Sequence, residues 1–265
     1  MTLKTGSDQA DGLRRLMGRD RGRLVAVVGS HPRVGATSTA LHLAAALWQQ
    51  GQNVLVLDEH GGARSASAAC SEPARASWPE VAAQSVSLAA AAGRAWGAVP
   101  VLAAQPDRMP AALDPRRAIA GRIALVDAAL DEHGRLSPLA RRADDVLVVL
   151  QPQPHSLQAA YARIKALHHA HALLQLRILL TQAGDAAESD RICGNLVRTG
   201  GRYLAMALEP AGCIRADAQL PQAQRLGLGV VQAFPAAPSA ADLRRIAAEL
   251  LHWPVRAAPA AAAAA

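Results

Sequence analysis

The string Ser30-His31-Pro32-Arg33-Val34-Gly35-Ala36-Thr37-Ser38, inside VAVVGSHPRVGATSTALHLAAAL (25–47), separates an apolar run from a long helical stretch and carries residue types that hold phosphate. Gly35 supplies flexible backbone, Thr37 and Ser38 supply hydroxyls, and a helix starting here would aim its first N–H groups at an anion. Thr37 stands where a hydroxyl would hold magnesium. The lysine that reaches the β and γ phosphates in such a loop is absent, and Ala36 occupies its place. Pro32 removes a backbone donor, and Arg33 puts a side chain where glycine would accept any dihedral. Two carboxylates join the set: Asp58 in VLVLDEHGG and Asp127 in IALVDAAL each close an apolar run. If both runs are strands of one parallel sheet, both acids stand at its carboxyl edge, within reach of a magnesium ion or an attacking water. Either one alone is equally well a turn or helix cap.

These residues need a scaffold, and the chain of 265 residues with 51% hydrophobic content is long enough for one α/β domain. Apolar runs recur as LVAVVG at 24, NVLVLD at 53, RIALVD at 122, DVLVVLQ at 145 and LRILLT at 176, separated by helical stretches. Near-continuous apolar strands alternating with helices predict a doubly wound, mainly parallel sheet flanked by helices. Helices are expected over 36–50, closed by Gly51, and over 155–172, 186–199 and 239–251; 64–98, rich in Ala and Ser, also reads as helical. The expected organisation is a detached helix and hinge over 1–20, the α/β domain over 21–252 and an Ala/Pro tail without fixed structure over 253–265.

The formal charge of +7 comes from arginines spread along the chain, with no long basic block, so direct nucleic-acid binding is not expected. Cys70, Cys193 and Cys213 lack metal-ligand spacing and read as isolated thiols in a reducing compartment. No apolar stretch reaches membrane-spanning length, which points to a cytoplasmic protein. His168, His169 and His171 read as a solvated helix face rather than a metal site. The stretch 7–17, SDQADGLRRLM, forms a short helix pattern with Ser7 as cap and Arg14 and Arg15 in the last turn. It is too short to be stable alone, so it either packs on its own domain or binds a partner.

The chain resembles the MinD/ParA class of deviant Walker-A ATPases and, within it, the regulators of flagellar number and placement of the FlhG/FleN type. Three stretches carry the likeness: DQADGLRR at 8–15, the loop at 31–37, and the run from ADDVLVVLQPQPHSLQAAYARIKAL at 143 through GCIRAD at 212 to VVQAFPAAPSAADLRRIA at 230. The resemblance implies that Asp8, Gln9, Ala10, Leu13 and Arg14 dock on a flagellar GTPase of the signal-recognition-particle type and stimulate it. It also implies ATP and magnesium at Arg33, Gly35, Thr37, Ser38, Asp58 and Asp127, an ATP-dependent dimer, peripheral placement at the cell pole, and contacts with flagellar switch-complex proteins or a transcriptional activator. The departures are as informative. His31 and Ala36 stand where the family has its two loop lysines, and His60 stands at the second aspartate of the family's Asp-x-Asp switch. Nucleotide binding is therefore expected to be weak or absent, with negligible hydrolysis and a dimer only if nucleotide binds. The family's membrane helix corresponds to 239–252, whose amphipathic pattern reads instead as a closing helix packed on the core. Two rival readings remain: a slow but active ATPase switch, and another ParA-like positioning protein, for cellulose secretion or chromosome partition.

Overall fold

The computed structural model describes residues 22–96, 98–108 and 115–254. The proposed helix at 7–17 lies outside them, as does the tail beyond Pro254. A nine-stranded sheet forms in the order β3-β4-β5-β2-β6-β1-β7-β8-β9. Its strands are β1 (Arg23–Gly29), β2 (Val54–Asp58), β3 (Cys70–Glu72), β4 (Gly93–Ala95), β5 (Val99–Ala103), β6 (Ile123–Asp127), β7 (Asp145–Leu150), β8 (Gln175–Ala183) and β9 (Ala207–Arg215). All neighbours pair in parallel except β3 with β4 and β4 with β5, which are antiparallel at one edge.

Both faces of the sheet are covered, which is why its central strands are apolar without interruption. Along β1, Val25 and Val27 join one core with Leu43, Leu47, Leu243 and Ile246, while Leu24, Ala26 and Val28 join the other with Trp78, Ile164 and Leu167. This alternation is the two-residue period of a strand. From β1 the chain leaves through the helix Ala36–Gln49 toward β2, and from β6 it crosses back over β1 to β7. From β7 it continues outward to β8, so the connections after the neighbours β1 and β7 diverge, and the crevice between them at the carboxyl ends of the strands is where such sheets bind ligands.

The helices Pro154–His171, Ala186–Leu204 and Pro238–Leu250 fall where the periodicity puts them. The second runs five residues past its expected end, through Gly200 and Gly201, because Leu208 packs so closely that a Cβ on Gly200 would lie 2.6 Å from its Cδ1. The helix Pro238–Leu250 buries Ala240, Leu243, Ile246, Ala247 and Leu250, as expected of a closing helix. Two expectations need correction. Residues 64–98 do not form a long helix; they break into the short helices Trp78–Ala82 and Leu88–Ala91 and the edge strands β3 and β4. Pro73 and Pro79 interrupt any longer helix, and Gly93 lies so close to the preceding turn that a Cβ there would sit 2.7 Å from the Ala74 nitrogen and the Glu72 oxygen. Trp253, assigned to the tail, is buried: its carbonyl accepts from Arg23 at 2.9 Å and its indole lies 4.1 Å beneath the Arg177 guanidinium.

Candidate functional site

The loop after β1 is shaped by its own backbone. Ser30 N–H donates to the Val149 carbonyl at 2.9 Å, which ties the loop to β7, and Gly29 leaves only 3.0 Å between a notional Cβ and Val34. Arg33 and Gly35 both take left-handed conformations, with φ of 67° and 95°. Gly35 accommodates this freely, whereas Arg33 is strained there. The helix begins at Ala36 with no side-chain cap at Gly35, so its first N–H groups remain available to an acceptor in front of the loop.

The side chains around the loop are mainly neutral. His31 turns Nδ1 to the Pro32 carbonyl at 2.8 Å and packs its ring 5.2 Å from that of His155. Gln151 donates to the Val34 carbonyl at 3.3 Å. The Ser38 hydroxyl is held by Gln224, whose amide also faces His42. His42 itself is enclosed beside Trp96 and accepts from Val230 N–H; burial pushes its pKa down to about 3, so it is a neutral packing residue. Arg33 is exposed and brings the only fixed charge in 30–38.

Asp58 and Asp127, so alike in the sequence, are register partners on adjacent strands β2 and β6. They are nonetheless used differently. Asp58 is buried with both carboxylate oxygens engaged: one accepts from His60 N–H at 3.0 Å and the other from Ser67 N–H at 2.7 Å. It caps the turn that follows β2. Asp127 is fully buried, and neither oxygen completes a hydrogen bond among the described residues. The His60 ring approaches one of them to 3.7 Å. Burial raises the Asp127 pKa to about 6, Asp58 adds to the rise, and His60 and the Thr37 hydroxyl oppose it.

A third carboxylate was not singled out from the sequence. Glu59 turns away from the loop, accepting from Ser137 Oγ at 2.5 Å and from Ala129 N–H at 3.1 Å. It thereby bridges the turn after β2 to the loop after β6, and burial pushes its pKa up to about 7. The only local signal was its place between Asp58 and His60. The histidines near 168–171 are less solvated than expected: His168 Nδ1 pairs with the Leu173 carbonyl at 2.7 Å, and His171 Nε2 accepts from Leu136 N–H at 2.9 Å. Among the described residues, no three His, Cys, Asp or Glu side chains gather as a metal site.

The arrangement divides into a part that fits magnesium and a part that does not fit a triphosphate. Asp127, orphaned and beside the Thr37 hydroxyl, supplies the oxygen donors that a hard cation takes. The loop offers backbone and hydroxyl donors, but its helix starts with Ala36, so no side-chain cation is presented there.

No protein-family model matches the chain. It is 28% identical over 137 residues to the antiactivator FleN of Pseudomonas aeruginosa, a stretch making up 52% of this chain and 49% of FleN, so the chain spans about half the length of that relative. Among solved structures it is similar to the MinD cell division protein of Aquifex aeolicus, with a TM-score of 0.64 and 15% identity over 88% of this chain and 98% of that one. It is also similar to the MinD of Pyrococcus horikoshii complexed with Mg-ADP, with a TM-score of 0.55 and 14% identity over 86% and 96% of the two chains. The ParA family ATPase of Chlorobium tepidum gives a TM-score of 0.62 and 15% identity over 85% and 98%. The fold is that of the MinD/ParA P-loop ATPases, and the likeness to FleN agrees with the resemblance read in the sequence. No helix among the described residues is long and apolar enough to cross a membrane.

Proposed function

We propose that this protein is a regulator of flagellar number and placement that acts through protein contacts, on a MinD-like domain whose phosphate loop lacks lysine. The observation that carries this reading is Ala36 at the head of the loop helix, where the chemistry of phosphoryl transfer needs a lysine. The likeness to an antiactivator supports a transcriptional activator as one partner. The DQADGLRR stretch supports another, a flagellar GTPase of the signal-recognition-particle type, stimulated through Asp8, Gln9, Ala10, Leu13 and Arg14. Flagellar switch-complex proteins are further partners of this reading, and its setting is the cytoplasm, at the pole. Packing of the helix Pro238–Leu250 on the core supports leaving the membrane surface out.

Where nucleotide does bind, Gly35, Thr37 and Ser38 would cradle its phosphates, Arg33 would lie at the loop's outer face, and Thr37 and Asp127 would hold magnesium. Magnesium would supply charge neutralisation at the phosphate oxygens. Asp58 would shape the turn that carries His60. A second reading, a slow ATPase switch that dimerises on ATP, is favoured by one observation, the unpartnered carboxylate of Asp127 beside Thr37.

Calorimetric titration with Mg-ATP and Mg-ADP separates the two. The expected result is no detectable heat for the native protein and measurable binding for Ala36→Lys. Micromolar binding by the native protein, with turnover of ATP, overturns the scaffold reading in favour of the switch. The same preparation lacking residues 1–18 should no longer stimulate the flagellar GTPase; undiminished stimulation removes the assigned role of that segment.

A further inference from the structure

A group of hydrogen-bond donors without acceptors lies away from the phosphate loop, along the seam between the loop 131–141 and the outer face of the helix Pro154–His171. Because His171 Nε2 accepts from Leu136 N–H at 2.9 Å, the ring is the neutral tautomer with its proton on Nδ1, and that N–H is buried with no partner. Further up the same helix Arg163 reaches over Gly134, where a Cβ would lie 3.0 Å from its Nη1, and its Nε–H is likewise buried and unpaired. Arg135 and Arg141 are exposed on the facing loop, and neither side chain makes a hydrogen bond or ion pair among the described residues. Both lie close enough to His171 to oppose its protonation. The acids on this loop answer these donors only in part: one oxygen of Asp131 accepts from the N–H groups of both His133 and Arg135, its charge favours protonation of His171 without a hydrogen bond to it, and Glu132 pairs with His133 at 3.4 Å.

Both buried orphans on this seam are donors, and Arg163, Arg135 and Arg141 outnumber the two acids of the loop, Asp131 and Glu132. A buried donor without an acceptor costs free energy that an incoming anion recovers, most strongly when the bond is charge-assisted. Arg163 and His171 stand eight helical residues apart, about 12 Å. One phosphate cannot span that distance, whereas an extended chain with acidic side chains four residues apart matches it. The two orphan donors are enclosed between loop and helix, so a ligand carboxylate meets the exposed Arg135 and Arg141 first and reaches the orphans only as the loop shifts, which a side chain can exploit and a flat bilayer cannot.

We propose that this seam is a docking site for an acidic polypeptide segment of a partner protein, whose carboxylates accept from His171, Arg163, Arg135 and Arg141. The site uses none of the phosphate-loop residues and goes beyond the function assigned above. The loop it uses is the one that Glu59 ties to the turn after β2, through Ser137 and Ala129.

The test uses the full chain and a fluorescein-labelled peptide of alternating Glu and Ala blocks, with the Lys counterpart as control, read by fluorescence anisotropy. Saturable binding of the acidic peptide is expected, weakening with salt and falling about tenfold for Arg163→Gln and for Arg141→Gln, each of which removes charge-assisted bonds. Arg191→Gln, on the exposed face of another helix, should bind as the native protein does. Thermal unfolding of each variant by circular dichroism confirms the fold. No binding of the acidic peptide, or equal binding by all four proteins, overturns the proposal. Loss in the same two variants of binding to phosphatidylserine vesicles, with no peptide binding, overturns it in favour of a membrane contact.

Discussion

The two edges of the sheet treat buried charge in opposite ways. At the amino edge, Asp145 accepts from Arg23 at 2.6 Å through one oxygen and from Arg177 at 2.8 Å through the other, while Arg177 also pairs with Glu209 at 2.6 Å and carries Trp253 against its face. Beside it, Asp144 accepts from Leu24 N–H at 2.9 Å and from Arg116 at 2.8 Å. At the carboxyl edge, Asp127 is just as deeply buried and completes no hydrogen bond among the described residues. Burying an unpaired carboxylate is expensive, so an edge built only for stability would have paired it as the other edge does. The amino edge uses its charges to lock strands and the chain end together. The carboxyl edge leaves one carboxylate without a hydrogen bond among the described residues, which is the condition the proposed magnesium role of Asp127 would use.

Mutation should separate the edges by sign as well as size. Asp145→Asn leaves two buried guanidiniums without their shared counter-ion and should destabilise the fold by about 3–5 kcal/mol, read as a lowered urea midpoint. Asp127→Asn should do the opposite. The Asp127 pKa rises from 3.8 to about 6, so its favourable contribution is full below about pH 4, is lost as pH rises to about 6, and becomes an ionisation penalty at neutral pH. The substitution should therefore stabilise the protein by about 1–2 kcal/mol at pH 7 and by little at pH 4. Equal melting shifts at both pH values would break the contrast. The smallest effect is expected at the bridge between the two site loops. Ser137→Ala removes the hydroxyl that favours the charged form of Glu59, so the Glu59 titration near pH 7 should move upward, seen in the chemical shift of its side-chain carboxyl carbon.

Much of this site was legible beforehand. The apolar runs at 24, 53, 122, 145 and 176 became strands because a sheet covered on both faces leaves a signal in every residue. The strand Val99–Ala103 was not anticipated, since Pro100 breaks its pattern and its place between β2 and β4 secures it. Strand Ala207–Arg215 was visible only by resemblance; Pro210 interrupts it, and Gly212, with φ of 122°, lets Ile246 approach to 2.9 Å of a notional Cβ. His171 read as a solvated helix residue because Leu136, its partner, is 35 positions away.

By itself the sequence determined the fold class, the position of the phosphate loop and the absence of its lysine, because these follow from residue type and period. It could not separate Asp58 from Asp127, for each simply ends an apolar run. Tertiary structure decided that Asp58 caps a turn with both oxygens satisfied while Asp127 completes no hydrogen bond among the described residues and meets the His60 ring at 3.7 Å. The reason is that the partners of a buried carboxylate are backbone groups and side chains delivered by other segments, and no local pattern records where a distant N–H will come to rest.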